Sequence, residues 1–154
     1  MDMTSAQIEE PPSAYKVDLI RRFLVASGIQ HQIDTGKFVT RFGIPGGHVF
    51  THAVERGATF SEAVDASFAV LTSAYEKHRH VWQEEYESHI NWEFTESELA
   101  QIVAFIEAPV GQHFLDGRWR MDAYIGTNTE DLVEQIVDEA EKAIDRASFS
   151  TNGR

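Results

Sequence analysis

Apolar residues return at steps of three and four along most of the chain, a spacing that places them on one face of an α-helix. Val17, Ile20, Phe23 and Leu24 form the first such stripe, with Ser13 ahead of it as N-cap and Gly28 closing it. A second helix is predicted over 30–42. It is interrupted by Phe42-Gly43-Ile44-Pro45-Gly46-Gly47, which is too rich in glycine and proline for regular helix. A short helix follows over 48–57. The longest stripe runs Val64, Phe68, Leu71, Tyr75, His78, Trp82, Glu85 and His89, and predicts one helix from Thr59 or Ser61 to about residue 92.

Thr95 and Glu98 then have the spacing of a capping box, in which each satisfies the other's backbone N–H. Leu99, Ile102, Val103 and Ile106 continue an apolar face, with Phe105 beside it. Pro109 disfavours helix at Ala108, yet suits the first turn of a new helix, where its missing N–H is not needed. Gly111 is small enough to let another helix approach. Thr95, Glu98, Pro109 and Gly111 together predict a structural corner between two helices, the second running to about Tyr124. Thr127 and Glu130 repeat the capping spacing before a last helix, where Leu132, Val133, Ile136, Val137, Ala140, Ala143 and Ile144 line one face. No strand alternation and no internal repeat occurs. The expected fold is all-α: a single-domain bundle of about six helices over 14–147, with a Pro-induced helix–helix corner at Ala108-Pro109. A flexible lead-in over 1–13 and a frayed tail over 148–154 flank it.

Composition agrees with a folded domain, since 154 residues at 42% hydrophobic suffice for a core. The absence of cysteine removes disulfides, thiolate metal sites and a cysteine nucleophile. The net charge of −12 is unevenly placed. Of 25 acids and 13 bases, six of each lie within 1–58, which leaves 19 acids against seven bases in the remainder. No Lys or Arg occurs between Arg79 and Arg118. Such a surface argues against nucleic acid and against anionic membranes. The opening residues lack a signal peptide's basic and apolar regions, and no stretch is apolar for long enough to span a bilayer. The expected location is cytoplasmic as written, or periplasmic if a signal peptide has been removed.

Phe94-Thr95-x-x-Glu98-Leu99, then Phe105, then Ala108-Pro109-x-Gly111, resembles the DUF2059 family of small bacterial all-helical domains of unknown function. Lys16–Ile29 looks like that family's opening helix. Here Ile106 stands for the family's Tyr, Ala108 for its Ser and His113 for its Lys, so polar roles of those groups do not carry over. The specific likeness covers 94–114, and a weaker one extends over most of 16–125. It implies a helical fold and no active site, and many members look secreted to the periplasm.

Candidate chemistry is sparse. His48 and His52 share a helical face, with Glu55 three residues further on, which is half of a zinc-protease pattern with Val49 in place of the catalytic Glu. The plainer reading is a surface pair of imidazoles. His78, Glu85 and His89 lie on the long stripe, but His78 and His89 are about 16 Å apart along a helix axis and cannot share an ion. A di-iron carboxylate bundle would need Glu-x-x-His on two helices, and none is present. Glu84, Glu85, Glu87, Glu93, Glu96 and Glu98 make an acidic face without calcium-loop spacing. Trp119 between Arg118 and Arg120 could stack a base, although its acidic neighbourhood favours pairing of the two cations instead. The expectation is a non-enzymatic helical domain, without cofactor, that acts through protein–protein interaction or self-association, with a basic partner favoured by charge. The alternative is a small-ligand- or metal-binding protein built on His48, His52 and Glu55.

Overall fold

Residues 11–147 and Phe149 are described by the computed structural model. Apart from residues 11–13 and Phe149, the expected lead-in and tail lie outside the described residues. Among those described there are α-helices and one 3-10 turn, and no strand. The helices are α1 (Ala14–Ala26), α2 (Ile29–Thr35), α3 (His48–Glu55), α4 (Phe60–Glu76), α5 (Arg79–Glu93), α6 (Glu96–Glu107), α7 (Pro109–Asn128) and α8 (Glu130–Arg146). The 3-10 turn, Thr40–Phe42, lies between α2 and α3. The all-α class stands, and the count of about six becomes eight. Within the span expected as one domain, the packing divides after Gln112 into two compact units.

In the first unit, α1 is the centre and packs against α6, α5 and α2. Leu19, Ile20 and Leu24 of α1 meet Ile90 of α5 and Leu99 and Val103 of α6, all buried. Three entries into a helix have a local cause in a side-chain cap. Ser13 is extended and its Oγ accepts from the Lys16 N–H at 3.0 Å, while it donates to Glu96 Oε1 at 2.5 Å. The capping box at Thr95 and Glu98 forms as the spacing predicts, with Thr95 N–H to Glu98 Oε2 at 2.9 Å and Glu98 N–H to Thr95 Oγ1 at 3.1 Å. Thr59 and Glu62 form another at the start of α4. Such caps hold N–H groups that a helix leaves without partners, each typically contributing about 1 kcal/mol.

Two predicted helices end early. The one expected over 30–42 stops at Thr35, because Gly36 adopts a left-handed φ of 68° and ends it. A side chain could not stand there in any case: a Cβ on Gly36 would lie 2.8 Å from the Tyr75 ring. The long helix expected over 59–92 is two helices, broken at Lys77-His78 with no glycine or proline to announce it. Tyr75 and Trp82 flank the break with ring centroids 5.1 Å apart. Residues seven apart on a straight helix are separated by about 10.5 Å of rise, so the break is what brings the rings together. Phe38 stacks on Trp82 at 5.8 Å, and the Tyr75 hydroxyl donates to the Ile33 carbonyl at 2.5 Å. That bond serves a carbonyl at the end of α2.

A single extended residue, Ala108, separates α6 from α7. Gly111 is buried and sits tight against the Phe105 carbonyl, where a Cβ would come within 1.8 Å. Gln112 completes the junction by donating to the carbonyls of Ala26 at 3.1 Å and Ile106 at 2.5 Å. The second unit starts at His113 and holds the rest of α7 and all of α8. There α7 continues to Asn128, beyond the expected Tyr124. The capping box expected at Thr127 and Glu130 does not form: Thr129 is the N-cap, without a side-chain cap, and its hydroxyl donates backwards to the Ile125 carbonyl at 2.6 Å.

Candidate functional site

His48, Thr51, His52 and Glu55 line one open cavity of about 280 Å³ beside Gly46. The helix that carries them, α3, starts from an extended Gly47 with no side-chain cap. His48 packs at an angle against the Phe42 ring, at 5.7 Å. Among the described residues, no three His, Asp or Glu side chains are grouped so that they could hold a metal ion. The two imidazoles and the carboxylate thus share a cavity wall without converging on a point.

Several of the other polar candidates take part in helix ends and ion pairs. His78 is the N-cap of α5, so His78, Glu85 and His89 do not lie on one continuous helix. His89 lies 3.9 Å from Glu93 and its ring is 6.0 Å from Trp92. Within the acidic face, Glu98 caps α6, Glu96 accepts from Ser13 and Glu87 pairs with Arg21 at 3.5 Å. Elsewhere Arg79 pairs with Asp34, and Arg22 pairs with both Asp18 and Glu107. The hydrogen bond to Arg22 holds the Glu107 carboxyl below its ordinary pKa, and the Arg22 guanidinium is raised in return. Burial pushes the Tyr75 phenol up.

A buried lysine was not foreseen. Lys16 reads as the polar start of an amphipathic helix, yet it is fully buried, and its Nζ donates to the Asn91 carbonyl at 3.0 Å. That carbonyl belongs to the last turn of α5, the end of a helix that favours a cation. The signal was present in the spacing, since Lys16 stands four residues before Ile20 and three before Leu19, on the same face. A cavity of about 630 Å³ lies nearby and is lined by Pro11, Pro12, Val17, Ile20, Arg21 and Glu87 among others. None of the three tryptophans lines it.

The second unit differs in kind. Leu132, Val133, Ile136, Val137 and Ile144 occupy one face of α8, and each remains 49–58% exposed. On α7 within the same unit, Phe114, Trp119, Met121, Tyr124 and Ile125 are also exposed, Trp119 at 70%. No residue of α8 is buried. The face was foreseen and its exposure was not, because an amphipathic pattern states which side avoids water without stating what covers it. Around that face stand Glu130, Asp131, Glu134, Asp138, Glu139, Glu141 and Asp145, against only Lys142 and Arg146. Lys142 is paired with Asp138 at 2.8 Å. Among the described residues no helix is long and apolar enough to cross a membrane. No protein-family model matches the chain, and neither a curated protein nor a solved structure does.

Proposed function

We propose that this chain is a non-enzymatic helical binding module that works by protein–protein contact through the uncovered face of α8. The observation that carries the reading is the row Leu132, Val133, Ile136, Val137 and Ile144, all about half exposed on a helix of 17 residues. Helices of this length draw most of their stability from packing an amphipathic face, and no residue of this one is buried. Fully burying such side chains contributes about 1.5–3 kcal/mol each, so covering the exposed half of five would release about 4–7 kcal/mol. Association alone costs about 4–15 kcal/mol. The face is therefore suited to a contact that adds polar or charged complementarity, or more area, to its apolar row. The first unit, by contrast, buries a core of Leu19, Ile20, Leu24, Ile90, Leu99 and Val103. The resemblance of Phe94–Gly111 to DUF2059 domains is compatible with such a module and assigns it no chemistry.

The test is a capture from the native host, with the wild-type chain and an Ile136→Ala, Val137→Ala double variant compared side by side. Alanine preserves helix propensity while removing the apolar row. Sedimentation velocity of both proteins over a range of concentrations covers self-association. The reading expects a bound protein, or a dimer, that the wild type shows and the variant loses. Identical capture by both proteins, with both sedimenting as monomers, would overturn it.

A further inference from the structure

We infer that the occupant of the α8 face is a basic amphipathic helix of another protein, with an apolar stripe flanked by Lys or Arg; this rests on the binding-module reading above. Successive residues on a helix turn by about 100°, so the row Glu130, Glu134, Glu141 and Asp145 runs along the border next to Val133, Val137 and Ile144. The opposite border, next to Leu132 and Ala143, carries Glu139 and Arg146. An arriving helix that covers the apolar row must lay its own flanks along these two borders.

A second copy of α8 fits poorly. Antiparallel pairing sets the four-acid border against its own counterpart. Parallel pairing sets it against Glu139 and a single cation, Arg146. Like charges across such a seam oppose association, and opposite charges select the partner and its orientation. A helix with Lys or Arg on both flanks meets no such opposition. The face extends over the 17 residues of α8, about 26 Å, so a partner segment of similar length covers it. An anionic membrane is disfavoured by the same acids.

The experiment uses the whole chain and three synthetic 18-residue peptides: a Leu/Lys amphipathic helix, its Leu/Glu counterpart, and a shuffled Leu/Lys sequence without helical periodicity. Binding is read by fluorescence anisotropy at low and moderate salt. The expected result is at least tenfold preference for the Leu/Lys helix over both others, weakening as salt rises. Ile136→Ala with Val137→Ala lowers that affinity at least fivefold with α8 still helical by circular dichroism. Glu134→Lys with Glu141→Lys shifts preference toward the Leu/Glu peptide. Equal binding of the Leu/Lys and Leu/Glu helices, both lost in the alanine variant, would overturn the charge inference and leave the module reading standing. A dimer abolished by the alanine variant would do the same by making a second copy the occupant. Equal binding of the Leu/Lys helix to wild type and alanine variant would place the contact elsewhere and overturn the inference. Binding to neutral phosphatidylcholine vesicles that depends on Ile136, with no peptide bound, would overturn both.

Discussion

Alanine at Gly111 tests the tightest approach in the first unit. A Cβ built there lies 1.8 Å from the Phe105 carbonyl oxygen, 2.6 Å from its carbon and 2.8 Å from the Ile106 Cα. All three are backbone atoms, so no side-chain rotation can yield. Ordinary nonbonded carbon separations are about 3.5 Å, so the end of α6 or the start of α7 must retreat by more than ~1 Å. Overpacking costs about 1–3 kcal/mol where neighbours can adjust, and a backbone obstacle puts this site near the upper end. Replacing a helical glycine by alanine returns about 1 kcal/mol of helix propensity. The net expectation is a loss of about 2 kcal/mol, a fall in melting temperature on the order of 8 °C for a unit of this size. Gly126→Ala is the internal control. It lies on the same helix with nothing within 4 Å of its Cβ, so only the propensity gain remains. Thermal and urea unfolding followed by circular dichroism should therefore move in opposite directions for the two variants. If Gly111→Ala melts at or above wild type, α7 does not press against the Phe105 carbonyl and the account of this junction is wrong.

Two further outcomes concern titration. Tyr75→Phe removes the donor to the Ile33 carbonyl and should cost about 1–2 kcal/mol near neutral pH. Because the folded phenol is raised, its contribution is intact below the ordinary tyrosine value of about 10 and is lost as pH rises through the folded value. Urea midpoints should converge between wild type and variant at high pH; a constant gap would contradict the burial of the phenol. For Glu107 the sign is reversed. Its carboxyl is held low by Arg22, so the pair stabilises the fold above the ordinary carboxylate value of about 4.3 and fades as pH falls through the lower folded value. Glu107→Gln should thus match wild type in strong acid and fall behind it at neutral pH, with a difference that shrinks in salt. Equal stability at every pH would remove Arg22 as a partner.

What the sequence alone determined is what depends on neighbours in the chain. Ser13, Thr59 and Thr95 fix helix starts because a cap needs only a side chain and the next few backbone N–H groups. Pro109 fixes the stop at Ala108 through a steric clash with the preceding residue. The apolar stripes of α1 and α6 follow from a 3.6-residue turn, and they settle the all-α class. Gly36 was equally local and is legible once read as a helix C-terminus. Other features needed distant partners. The break at Lys77-His78 has no local breaker and answers to the packing of Tyr75 and Trp82 with residues of α2 and the following loop. The burial of Lys16 requires the end of α5, 75 residues away in sequence, to receive its ammonium. The face of α8 shows the same division most plainly: its seven apolar positions are written in the chain, but that they stay exposed is legible only in the folded structure. Periodicity sets which side of a helix avoids water, whereas tertiary packing sets whether that side finds cover within the chain or must seek it in another molecule.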